Sequence, residues 1–87
     1  MNNKEEFKNA IIDAVAEYLD NEEGYGDSAQ LEIDPKSFAV EIVDADTDSD
    51  DKDYYMLMDM VKGSDINPGA LEPDVETIEN VVAEYFA

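Results

Sequence analysis

Six aspartates fall within ten residues, at Asp44, Asp46, Asp48, Asp50, Asp51 and Asp53, and two tyrosines, Tyr54 and Tyr55, follow directly. Oxygen ligands at alternate positions are what a calcium-binding EF-hand loop supplies at its first, third and fifth places, with glycine at the sixth and a bidentate glutamate at the twelfth. A register starting at Asp44 puts Ser49 where the glycine belongs and Tyr55 where the glutamate belongs; one starting at Asp46 puts Asp51 and Leu57 there. Neither register works, and the flanking segments read as strands, so an EF-hand is rejected. Weak divalent binding at Asp46, Asp48 and Asp50 stays open, because clustered carboxylates repel and any cation relieves them. The favoured reading is a solvated connection between strands, lengthened by its own repulsion.

Beside that acidic run, Tyr54 and Tyr55 are candidates for contact with a partner, since an amphipathic ring next to carboxylates can stack on an arginine. The partner-binding set is therefore Asp44, Asp46, Asp48, Asp50, Asp51, Asp53, Tyr54 and Tyr55. Met56, Met58 and Met60 form a stripe that could serve a partner, although such a stripe is more often core, and core is the expectation here. Catalysis has few candidates. The chain has no His, Cys, Arg or Trp, which removes the commonest general base, the thiolate nucleophile and cysteine- or histidine-based metal centres. It has no glycine-rich phosphate loop and no Gly-x-Ser-x-Gly elbow. Paired carboxylates could do glycosidase-type chemistry, but that needs a substrate cleft an 87-residue domain can hardly build. The expectation is a protein that is not an enzyme and carries no cofactor and no specific metal.

The elements that must carry these residues follow from periodicity. Phe7, Ile11, Ala14, Val15 and Tyr18 recur on one face of a helix, and Val75, Ile78, Val82 and Tyr85 on another near the end, opened by Pro73 in its first turn. Between them, Leu31 and Ile33 alternate with polar neighbours, as do Phe38, Val40 and Ile42, with Asp34-Pro35-Lys36-Ser37 as a turn signal. A third run from Tyr54 to about Met60 either stays a strand, with Tyr54, Met56, Met58 and Met60 inward, or ends at Leu57 in a helical turn through Val61. Loops are expected at about 20–28, 44–53 and 62–72, the last anchored by Ile66 and Leu71. The order is α-β-β-β-α in one small α+β domain over residues 1–87, read as a three-stranded antiparallel meander with both helices packed on one face.

The charge is spread over this frame. With 24 Asp+Glu against 5 Lys+Arg the formal charge is −19, and residues 1–28, 29–62 and 63–87 carry −6, −7 and −6 of it. Acids alternate with apolar positions in each element, with Glu32 and Glu41 on the outward strand face. Direct binding to nucleic acid or an anionic membrane is excluded by such a shell. The expected function is a small acidic protein-interaction domain that binds a basic protein surface, in its sharpest form a nucleic-acid mimic. In charge, size and lack of catalytic residues the chain resembles small acidic inhibitors of DNA-handling enzymes, a likeness of class that no motif carries. The alternative is a structural or regulatory module that makes an apolar contact through its Met-Tyr strand, its charge serving solubility. A cytoplasmic monomer is expected, gaining stability with added salt, and with falling pH if repulsion raises its carboxyl pKa values.

Overall fold

The computed structural model describes residues 3–21, 28–43, 52–67 and 69–86. Helix α1 (Asn3–Asp20) leads into strands β1 (Gln30–Ile33), β2 (Val40–Val43) and β3 (Asp53–Met56), then a 3-10 turn (Leu57–Met60), strands β4 (Val61–Gly63) and β5 (Leu71–Pro73), and helix α2 (Val75–Tyr85). Both helices and the inward sheet face meet in one core: Phe7, Ile11, Val15 and Tyr18 from α1, Leu31 and Ile33 from β1, Leu57 and Met60 from the turn, and Ile78, Val81 and Val82 from α2. The α+β class, the antiparallel three-stranded sheet and the shared helical face are as the periodicity requires.

The strand order is β2-β1-β3, with every pairing antiparallel. This corrects the meander, in which β2 would be central. Leu31 and Ile33 are fully buried and are flanked by Ile42 and Tyr55, and by Val40 and Asp53, respectively. A central strand must shed water on both edges, which β1 does; β2 carries an exposed glutamate, Glu41, and stays at the margin. A second, two-stranded sheet is present where composition reads as a loop. β4 and β5 pair Val61 with Pro73, Lys62 with Glu72 and Gly63 with Leu71, so the ends of the expected 62–72 loop form a ladder.

Local chemistry explains four further differences. First, the third run breaks in a helical turn, as one of its two readings had it, but the strand ends at Met56 and not at Leu57, and Val61 opens β4 instead of closing the turn; the 3-10 turn brings Leu57 and Met60, three apart, to one side. Those two are buried, while Met56 and Met58 are exposed instead of lining the core. Second, β2 begins at Val40 and not at Phe38. The Asp34 carbonyl accepts from the Phe38 N–H at 2.7 Å and its carboxylate from the Lys36 N–H at 2.9 Å, and Phe38 takes a left-handed φ of 61° to close the turn. The backbone donation to Asp34 lowers its pKa.

Third, Pro73 ends β5 and Asp74 caps α2, its carboxylate accepting from the Thr77 N–H at 3.3 Å and hydroxyl at 2.8 Å. A residue without an N–H suits the end of a ladder, and an aspartate suits the cap. These bonds from Thr77 hold the Asp74 carboxyl below its ordinary range. Fourth, Ile66 and Leu71 do not anchor the loop in the core; Ile66, beyond the end of the β4–β5 ladder, is 95% exposed, and Leu71, within the ladder, is 51% exposed.

Candidate functional site

Of the partner-binding set, Asp44, Asp46, Asp48, Asp50 and Asp51 lie outside the described residues, and with them the candidate divalent site. Among the described residues no group of three or more acidic side chains is placed to hold a metal ion, and no helix is long and apolar enough to cross a membrane. Asp53, Tyr54 and Tyr55 are adjacent on β3, and strand alternation sends the two tyrosines to opposite faces.

On the outward face, Tyr54 and Lys52 close over Glu32. The Lys52 ammonium is 3.1 Å from one Glu32 oxygen and the Tyr54 hydroxyl donates to the other at 3.3 Å. Glu32 lies on the outward strand face, as the alternation of β1 requires, yet it is only 8% exposed. A carboxylate can be buried when both oxygens are bonded and a cation is in contact. That contact also raises the Lys52 pKa. Glu41 stands directly across the ladder from Glu32, a like-charge pair that Lys52 offsets.

On the inward side, Tyr55 meets the end of α2. Its hydroxyl is 3.1 Å from that of Tyr85 and 3.3 Å from Glu84 Oε2. The Tyr85 hydroxyl donates to Asp53, and the single Tyr55 hydroxyl proton is shared between Glu84 and the Tyr85 oxygen. Tyr85 also belongs to an aromatic group with Phe7, Phe38 and Phe86, in which Phe38 stacks on Phe86 at 4.9 Å. Burial, reinforced by the bond to Asp53, pushes the Tyr85 phenol far above its ordinary value, and burial likewise raises Tyr55. The tyrosines thus tie β3 to Glu32 and to α2, and do not form one joint surface. Glu84 and Tyr85 had no signal in sequence, because their meeting with β3 depends on strand order.

These phenols have a consequence at high pH. Above about 10 the unfolded chain loses the protons of Tyr55 and Tyr85 before the folded one does. The stability from Tyr55 and Tyr85 is therefore whole below about pH 10 and is lost as pH rises beyond it. We expect the melting temperature to fall steeply above that point, and Tyr85→Phe to flatten the fall while shortening the late phase of tyrosinate absorbance. An unchanged alkaline profile in Tyr85→Phe would refute this assignment.

The remaining described carboxylates are mainly at the surface. On α1, Glu6, Asp13, Glu17 and Asp20 are all exposed and, at about 100° per residue, share about 60° of arc opposite the buried stripe, along about 21 Å of helix. On α2, Glu76, Glu79 and Glu84 are exposed. Lys62 pairs with Glu72 at 3.7 Å and Lys52 with Glu32. Comparison of the chain with protein-family models, with curated proteins and with solved structures finds no match.

Proposed function

We propose that this protein is a non-enzymatic acidic interaction domain that binds a basic surface on another protein, competing there with nucleic acid. The observation that carries the reading is the row Glu6, Asp13, Glu17 and Asp20: four exposed carboxylates held on one face of an 18-residue helix. A helix whose opposite face is locked into the core presents its charges at fixed spacing. Carboxylates fixed in this way need little ordering on binding, whereas those of a disordered acidic tail must be immobilised.

The test is affinity capture from an extract of the source cells with the immobilised domain. A bound protein should be released by raised NaCl and by added DNA or RNA. The variant Asp13→Lys/Glu17→Lys, changed only at exposed outward positions, should bind it on the order of tenfold more weakly. Capture indifferent to salt and nucleic acid would refute the mimic. It would favour the second reading, an apolar contact through β3 and the turn after it, which the exposure of Met56 and Met58 supports.

A further inference from the structure

We propose that the β4–β5 hairpin anchors the interface, with Ile66, and Leu71 behind it, entering an apolar cleft on a partner protein whose rim carries Lys or Arg. This deepens the preceding reading and rests on it for the partner's charge. Ile66 takes almost no part in packing, being 95% exposed, and Leu71 is half exposed on the arm of the same hairpin. Leu71 faces Gly63 across the ladder, and a Cβ built on Gly63 would meet no atom within 4 Å. The flank of Leu71 is therefore open to an incoming side chain.

The turn that carries Ile66 is internally braced. The Ser64 hydroxyl accepts from the N–H groups of Ile66 and Asn67, each at 3.2 Å. The Ser64 N–H donates to the Ala70 carbonyl at 3.0 Å and the Ala70 N–H to the Asn67 carbonyl at 2.9 Å. Below the turn, Lys62 and Glu72 form a cross-strand ion pair. An apolar side chain on a braced turn loses little conformational freedom when it binds, which is what an interface anchor requires.

Charge selects the occupant. A second copy would bring −19 against −19, and an anionic membrane would be repelled in the same way. Asp65 is exposed beside Ile66, and Glu72 adjoins Leu71, so the apolar tip is flanked by carboxylates. A cleft with an apolar floor and a cationic rim on a different protein satisfies both features.

The experiment places a photo-crosslinking amino acid at position 66 of the full chain, with position 36 as control, and irradiates it in an extract of the source cells. The expected result is an adduct from position 66, at least about tenfold stronger than from 36, mapping to a partner peptide with apolar residues flanked by Lys or Arg. Unlabelled protein should suppress it, and Ile66→Ser should compete about tenfold less well while melting at the same temperature. No adduct, a homodimer, or equal competition by Ile66→Ser would overturn the proposal. Salt-sensitive capture with no adduct at 66 would retire the hairpin alone. An adduct to a peptide lacking basic residues would overturn this proposal and count against the charge reading as well.

Discussion

Raising NaCl from 10 mM to 1 M is expected to raise the melting temperature of this domain by at least about 15 °C. The Cα radius of gyration is 12.9 Å, corresponding to a sphere of about 17 Å radius. A charge of −19 on it repels itself by about 29 kcal/mol in 10 mM salt and about 7 kcal/mol in 1 M salt. The expanded chain, with a radius of gyration near 29 Å at this length, holds about 9 and about 1.5 kcal/mol under the same conditions. Folding thus costs about 20 kcal/mol of repulsion at low salt and about 5 kcal/mol at high salt. A denatured ensemble more compact than a random coil removes much of that difference. One third of it, about 5 kcal/mol, is enough for the stated shift. Thermal melts at the two salt concentrations are the measurement, and a difference under about 3 °C would mean that the surface is not the dense negative shell described.

Acid does not act as a simple substitute for salt. The sequence led to an expected gain in stability as pH falls, conditional on repulsion raising the carboxyl pKa values. Asp34 and Asp74 move the other way, because backbone and hydroxyl donors from Lys36 and Thr77 bond their ionised forms. A carboxyl with a lowered folded pKa gives stability that is present above its unfolded value, 3.8 for these two, and is lost as pH falls below it. The β1–β2 turn and the start of α2 lose support in that range.

The parts of this fold legible in sequence are those fixed within one element. The stripe of Phe7, Ile11, Val15 and Tyr18 is buried as periodicity requires, as are Ile78 and Val82, and Leu31 and Ile33 point inward. Strand order was not legible, because the alternation that identifies β1 and β2 contains nothing about which edge β3 will join. From that follow the two misplaced features of the site. Tyr55 reaches Tyr85 and Glu84 only because β3 lies beside β1. Glu32 is covered because Lys52 and Tyr54 arrive on its other side. Methionine burial failed for a different reason: β3 has the opposite phase, with Tyr55 inward and Tyr54 and Met56 outward, so alternation alone buries Leu57 and exposes Met58, and the 3-10 turn then returns Met60 to the core. For Ile66, nothing local distinguishes an aliphatic residue that anchors a loop from one that is displayed by it.

Leu31→Ala is expected to cost about 3–4 kcal/mol, and to do so without touching the charged surface. Leu31 is fully buried at the centre of the three-stranded sheet, opposite Ile42 on one side and Tyr55 on the other. Truncation there leaves a cavity bounded by strands on both edges and helices on the covered face, so little can collapse into it. A chain of this length has a total stability of roughly 4–13 kcal/mol, so the loss takes a large share. Repulsion then decides whether the variant folds. In 10 mM salt, where self-repulsion is strongest, the variant should be largely unfolded by circular dichroism; in 1 M NaCl it should recover cooperative melting, because the apolar deficit is unchanged while the electrostatic cost has fallen. Met58→Ala, at a position 51% exposed, should shift stability by less than about 0.5 kcal/mol at either salt. If Leu31→Ala and Met58→Ala melt together, β1 is not the structural centre. If Leu31→Ala is as folded in 10 mM as in 1 M salt, the core alone supports this domain and its charge has been overrated as a force against folding.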